Sequence, residues 1–525
     1  MGVSFERGES AIAGKYASPA VEPDLVVVKP GTAAAGNGKG SSSLNWLHHT
    51  KALFTEGHTA WDCLLSVACA QIGQVMLTMP HSMALLGIRE GIVVTIVAAT
   101  AGLWTMFLLV SLYLEMKARQ IKAGQWYDAS GHRRQVTQYH EVMGYWGGPV
   151  LKYVSQLLIA VHLLGTGTAQ VIACAGNNYS IDHSHSKRFY ALVWGGVLML
   201  FSFVPTFRHF RVINVIALVG TAYTAWYVVS EAAVKGITPG AINRPHRSAQ
   251  DFFVGAAVLG EFGHPIALEM ADAMRNQGAF QLAYFLGWLW TLTLILPHSI
   301  ASNLAWPDAV YAQDNIYSVL PNSIWKIVSV WLMNIHQLVA FSLYVVPLLF
   351  MWEKLIRVHS KPWYIRLPLR LPVSLAIYFI GIAFPFYGTI NSLYKALAEP
   401  LTAFVFPCWV YLWVYRSKSA RDGAALKPWK FLRKWNWLLI WILNIGISIV
   451  WLFGQFGFGV YFSSQKLHHN IRNFGVFAEC YQCMAQKVHA VALAPHAAKN
   501  FTAAAHLAPS FAPYAAAPPP LSPFG

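Results

Sequence analysis

The sequence predicts an all-α polytopic membrane protein of about eleven transmembrane helices, and three observations predict it. Hydrophobic residues make up 56% of the 525 and charged residues only 11%, against about 25% charged in an ordinary soluble domain. Mean hydropathy is +0.43. The 21 tryptophans and 23 tyrosines suit a chain with two membrane interfaces, where amphipathic rings collect. A net charge of +16 would point to nucleic acid in a soluble protein. Here the basic residues form short clusters between apolar runs, where they set orientation, so the expected partner is the lipid bilayer and no nucleic acid.

Residues 1–45 are polar and carry the run GTAAAGNGKGSSS, too poor in apolar side chains to order itself. They are expected to be a disordered cytoplasmic tail, with no apolar core of a signal peptide near Met1. The transmembrane domain is expected over 46–483. A window of about 20 residues, the length that crosses roughly 30 Å of hydrocarbon, picks out segments 62–88, 92–116, 148–181, 189–205, 211–234, 252–274, 280–305, 324–352, 371–390, 393–415 and 435–461. Basic loops follow the even-numbered segments: Lys117 to Arg134, Arg208 and Arg211, Lys354 to Arg370, and Arg416 to Lys434. The positive-inside rule makes these loops cytoplasmic, which puts the N-terminus inside and the C-terminus outside. The Ala/Pro/His-rich residues 484–525 are expected to be a disordered extracellular tail.

Two segments are interrupted. The first reads ACAQIGQVMLTMPHSM, with Gln71, Gly73, Gln74 and Pro80 among small and apolar residues, and the sixth reads LGEFGHPIALEM. Freed backbone groups cost several kcal/mol in lipid, so non-helical backbone persists only where it faces protein or a water-filled cavity. A pair of breaks in corresponding segments points to a transporter built from inverted repeats, with its site at the midplane. Pro80 alone reads equally well as a kink, and Gln71 and Gln74 alone as interhelical hydrogen-bonding groups.

His264 lies inside the sixth-segment break. A histidine titrates near pH 6.5, so it changes charge between an acidic exterior and a neutral cytosol, and ionisable groups in spans mark proton pathways. His264 is therefore the leading proton-coupling candidate, with Glu269 and Glu261 behind it. Glu269 lies five residues on and pairs with His264 only if the break bends the chain between them. For both carboxylates, a buried hydrogen bond to freed backbone amides is nearly as good a reading. His162 and His336 read first as packing residues, and Glu353, beside Lys354 at a helix end, as a solvated side chain without chemistry.

Cys63, Cys69, Cys174 and Cys408 stand singly in spans and read as small packing residues. Cys480 and Cys483 lie on the outer side, where a disulfide is allowed; one pair lacks the ligands of a structural zinc site. No nucleophile–base set, phosphate loop or HExxH motif appears, so neither enzymatic activity nor a cofactor or metal is expected.

From about residue 60 to residue 483, ordered stretches resemble the auxin influx carrier family of plants, the AUX/LAX carriers within the amino acid/auxin permeases. They include AWDCLLSVACAQIGQVMLTMPHS, QVIACAGNNY, EFGHPIALEMADAM, MNIHQ, PLLFMWEKLI, AFPFYGTINS and NFGVFAECYQC. The resemblance implies a leucine-transporter-like fold, with segments one to five and six to ten related by inverted topology. It also implies proton-driven uptake of indole-3-acetic acid across the plasma membrane, powered by the proton gradient alone. Carried over by position, Gln71, Gln74 and Val75 line the first break, His264 the sixth, Asn177 and Tyr179 the third span, and His336 and Gln337 the eighth. The chain departs from the family with Ala70 for an asparagine, His81 for a tyrosine, and Phe262 beside a single Gly263 where the family has a glycine pair. Ala70, Phe262 and Gly263 are thus candidate substrate-site positions too. An amino acid permease of the same fold is the alternative expectation, and a non-transporting sensor the outside one.

Overall fold

The computed structural model describes residues 59–126, 136–203, 210–259, 262–274, 276–425, 436–479 and 481–483, all within the unit Gly57–Gly525. The two tails, Arg133, Arg134, Arg208, Glu261 and Cys480 lie outside the described residues.

The first helix starts on a reciprocal cap. Asp62 N donates to Thr59 Oγ1 at 3.3 Å, and Thr59 N donates to the Asp62 carboxylate at 2.9 Å, a pairing that satisfies two orphan amides at once. Helix α1 (Ala60–Ile72) then stops at Gly73, whose φ of +41° is open to glycine and strained for other residues. A tight turn, Gln74–Leu77, leads through Thr78 into α2 (Met79–Leu86), with Pro80 in its first turn. Proline is well placed there, because its missing N–H has no helical partner anyway. Pro80 therefore restarts a helix; it does not kink one. The long α3 (Ile88–Lys122) and α4 (Tyr139–Tyr179) follow, the latter bent at Gly148 and Pro149. Then come α5 (Lys187–Phe201) and α6 (Phe210–Lys235).

The sixth segment repeats the device of the first. Helix α7 (Ala249–Val258) ends, and α8 (His264–Ala273) begins after Gly263, at φ +66°, with Pro265 in its first turn. Beyond it lie α9 (Phe280–Ala305), the short α10 (Pro307–Ala312), α11 (Ile324–Leu355) and α12 (Leu371–Ala383). Helix α13 (Tyr387–Glu399) runs through a π-helical stretch, Pro400–Val405, into α14 (Phe406–Val414). Helix α15 (Trp437–Ile449) runs through a second, Val450–Gly459, into α16 (Val460–Phe474).

The expected apolar segments fall largely on helix among the described residues, but 371–390 takes in the non-helical residues 384–386 between α12 and α13. Among the described residues, eight helices are long and apolar enough to cross a membrane. The fold is the all-α, polytopic, broken-helix class that the sequence predicted. Helix α1 packs on α9, α6 on α9 and α11, α4 on α11 and α13, and α8 against α1, α4 and α11. Val93 and Val97 on α3 and Leu438, Ile442 and Phe453 on the last span are exposed, an apolar face of the kind a bilayer covers.

One expectation is corrected. Glu353 is fully buried, and its carboxylate accepts from Arg370 Nε at 2.7 Å and Arg366 Nη2 at 2.7 Å, with His359 Nδ1 also 2.7 Å away. It is not solvated at a helix end. Its neighbour Lys354 turns instead to Glu141, at 3.0 Å, so the two adjacent charges serve different helices.

Candidate functional site at the two helix breaks

The break residues are closed off from solvent: Gln71 and Val75 are at most 2% exposed and His264 is 0% exposed. Val75 packs with Val258, Leu259, Met79 and Ile295 in one apolar cluster, so the first break touches the end of α7. Neighbouring helices hold the freed carbonyls. Tyr344 on α11 donates its hydroxyl to Ala70 O at 2.8 Å, and Tyr284 on α9 donates to Phe262 O at 2.8 Å. Each tyrosine satisfies a backbone acceptor that lipid would leave unpaired.

His264 opens α8. Its Nε2 is hydrogen-bonded to Thr105 Oγ1 on α3, 3.1 Å away, and its ring centroid lies 6.1 Å from that of Phe262 and 6.4 Å from that of Phe404. Phe404 stacks in turn on Trp451 at 4.2 Å. The imidazole thus stands at the N-terminal end of a half-helix, where the macrodipole favours negative charge, beside flat apolar rings. Phe262 reaches this place because α3 has Gly102: a Cβ there would meet the Phe262 ring at 2.5 Å. The variant Gly102→Val is expected to displace Phe262 and His264 together, at the roughly 1–3 kcal/mol typical of overpacking. Substrate transport should fall sharply while the protein still reaches the cell surface, as transport and surface-labelling assays would report.

Glu269 does not pair with His264. The break precedes His264, α8 continues unbroken past both, and five residues put them on different faces of a 3.6-residue helix. Glu269 instead accepts from Gln138 Nε2 at 3.2 Å, and Gln138 also donates to Pro347 O at 3.0 Å. Its neighbour Asp272 accepts from the Tyr113 hydroxyl and from Thr137 N. Glu269 and Asp272 therefore tie the far end of α8 to the start of α4 and to α3.

Gln71 accepts from Thr291 Oγ1 at 3.1 Å, and its Nε2 has no hydrogen-bond partner among the described residues. The same holds for Thr78 Oγ1 at the first break, and for both amide atoms of Gln170 on α4 and of Gln337 on α11. Buried polar atoms left unsatisfied are rare in native proteins and ask for a partner. These atoms lie at the first break and on α4 and α11, both of which pack against α8. His336, one residue before Gln337, is buried facing α6 near Ala217. Ala70 and Val75 contribute a carbonyl and an apolar wall; Gln74 is part of the tight turn itself.

Asn177 belongs to a different knot. It donates to Asn334 Oδ1 at 3.0 Å and accepts from Asn315 Nδ2 at 2.9 Å, while Asn334 Nδ2 donates to Asn178. This ladder joins α4 to α11 one turn from Gln337. Asn334→Ala would strand its partners, at about 1–3 kcal/mol for buried unsatisfied groups, and is expected to lower the melting temperature of the purified protein. Tyr179 lies at the end of α4 near His183 and Lys187, away from the breaks. In the loop beyond it, Tyr190, then Ser184, hydrogen-bond Asp182 and hold its carboxyl down at about 2. Stability linked to that carboxylate is lost as pH falls through about 2.

Sequence reasoning missed Thr105, Thr78, Gln170, Tyr284 and Tyr344. Gln170 and Thr105 were visible as polar residues in apolar runs, but nothing local ties Thr105 to a histidine 159 positions away. The four cysteines expected to be packing residues are buried and free, and Cys483 is disulfide-bonded. No group of acidic, histidine and cysteine side chains with metal-binding geometry occurs among the described residues.

Two interrupted helices, the first and the sixth segment, within a bundle of long apolar helices are the architecture expected of a membrane transporter. Residues 56–453 match the family model described as transmembrane amino acid transporter protein. Auxin transporter protein 1 of Arabidopsis thaliana is 34% identical over 462 residues, 87% of this chain and 92% of that protein. Auxin transporter-like protein 2 of Oryza sativa subsp. japonica is 35% identical over 435 residues, 82% of this chain and 89% of the relative. Among solved structures, an Eremococcus coleocola manganese transporter aligns with a TM-score of 0.46 and 12% identity, covering 79% of this chain and 94% of that chain. The chain belongs to the auxin transporter family, within the transmembrane amino acid transporters.

Proposed function

We propose that the protein is a proton-coupled symporter that imports indole-3-acetate or a related aromatic carboxylate across the plasma membrane, with its N-terminus in the cytoplasm. The observation that carries this reading is His264: buried at the start of half-helix α8, bonded to Thr105 and walled by Phe262 and Phe404. An aryl acetate needs a flat apolar slot and a positive pole for its carboxylate. The aromatic rings supply the first, and the amides at the N-terminus of α8 supply the second.

Protonation of His264 on the acidic side adds a full positive charge beside that pole and strengthens the hold on the anion. Loss of the proton at neutral pH removes that charge and weakens the hold, so release is favoured in the cytosol. The unsatisfied amides of Gln71 and Gln337 would pair with the rest of the carboxylate or with a ring N–H.

The second reading, a proton-coupled amino acid permease, is favoured by the description of the matching family. A zwitterion also needs an acceptor for its ammonium group. Glu269 accepts from Gln138 at one oxygen, off the break, and keeps the other without a partner among the described residues. The two readings separate in uptake of radiolabelled indole-3-acetate into a heterologous cell at two external pH values, with amino acids as competitors. Stronger uptake at the acidic pH, blocked by aryl acetates and not by tryptophan, is expected; block by tryptophan and other zwitterions would favour the permease.

A further inference from the structure

Three departures from regular α-helix converge beside the site: the end of α7 at Val258, the π-helical Pro400–Val405 and the π-helical Val450–Gly459. Single π turns recur at functional sites, and here both π stretches pack against each other, the second also against α7. Between them lies a cavity of about 360 Å³, within the roughly 300–1,000 Å³ range of small-ligand pockets. Phe253, Phe404 and Trp451 are among its walls. Val93 and Val97 on its rim are 61% and 53% exposed on the bilayer-facing side of α3.

We propose that this cavity is a second ligand site, opening to the bilayer, for a small uncharged fused-ring aromatic carrying one N–H donor. The walls suit a flat ring, because offset stacking on Phe and Trp adds to the gain from burial. One polar atom inside points to the donor: Gln455 Oε1 is buried without a hydrogen-bond partner. Lys395 and Glu399, one helical turn apart on the wall, carry opposite charges that offset each other, and Lys395 donates to Val258 O at 3.4 Å, closing the end of α7, so the ligand need bring no charge. The floor is open at Gly454, where an added Cβ would meet nothing within 4 Å.

Phe262 and Phe404 are shared walls, with the cavity on one side and His264 on the other. A bound ring would therefore pin the aromatic pair against which the sixth-span break must move. Such a ligand slows transport without occupying the central site: maximal rate falls while apparent substrate affinity stays.

The test is equilibrium binding of tritiated indole to the purified full chain in lipid nanodiscs. Saturable binding to one site is expected. Gly454→Leu should weaken it at least about 10-fold by filling the floor, the size of effect that about 1.4 kcal/mol produces, and Gly454→Ala by less. Gln455→Leu should weaken it roughly 2–10-fold, the range of one net hydrogen bond. Gln71→Ala, at the central break, should leave it unchanged. Absence of saturable binding in the parent protein, as when a lipid acyl chain fills the cavity, overturns the proposal. So does binding that survives Gly454→Leu in a monodisperse protein, or that is lost in Gln71→Ala. None of these arms requires uptake, so they stand or fall apart from the identity of the transported substrate.

Discussion

Replacing His264 with glutamine is expected to remove the dependence of uptake on external acidity. The side chain keeps a hydrogen-bonding group for Thr105 and roughly the shape of the site, but it cannot take a proton. A hydrogen bond involving a charged group contributes about 1.5–3 kcal/mol, so uptake at the acidic pH should fall about 10- to 100-fold. Uptake at neutral pH should change much less. His264→Ala should lose more at both pH values, because it also abandons Thr105 and opens a void against Phe404. Initial uptake rates across external pH 5 to 8, corrected for surface protein, measure both. An unchanged pH profile in the glutamine variant would assign the coupling elsewhere.

The largest stability effect is expected at Glu353. Its carboxylate is fully buried and takes Arg366 and Arg370, and Arg370 is itself 1% exposed and donates to Ser202 O at 3.0 Å. Removing one member of a buried ion cluster costs about 3–5 kcal/mol, because the remaining charges stay desolvated without a partner. Glu353→Ala should therefore lower the melting temperature strongly and reduce the amount of folded protein. Glu353→Gln, which keeps the shape and some of the acceptors, should fall between. Thermal unfolding of the solubilised variants measures this, and parent-like stability for the alanine variant would contradict the buried-cluster account.

These two residues mark what was legible in the sequence and what was not. The break at His264 was legible because glycine and proline are local signals: Gly73 and Gly263 adopt positive φ, and Pro80 and Pro265 stand in first turns. Hydropathy likewise located the apolar segments, though it carried 371–390 across the gap at 384–386 between α12 and α13. Glu353 was misread because its partner Arg370 lies 17 residues away and arrives through a turn that no periodicity predicts. The pairing of His264 with Glu269 was left hanging on where the chain bends. The structure places the bend before His264, and helical phase then separates the two. The π-helical stretches and the ring stack of Phe404 on Trp451 had no distinct signal at all, since lipid-facing and site-facing aromatic residues read alike in an apolar run.

The fold also gives a physical reason why the breaks persist in a membrane. Each freed carbonyl that the structure pairs, Ala70 O and Phe262 O, is met by a tyrosine from another helix. Those tyrosines sit on α11 and α9, which pack against the rest of the bundle.

The central claim is that aromatic anion and proton cross together through the site at His264. Its most direct test is proton entry into sealed proteoliposomes that hold a pH-sensitive dye and the purified protein, on addition of indole-3-acetate outside. The account predicts acidification faster than in protein-free vesicles, which report passive entry of the neutral acid, and a return to that passive rate with His264→Gln. Acidification at the passive rate in the parent protein, alongside saturable uptake of the labelled anion, would contradict it.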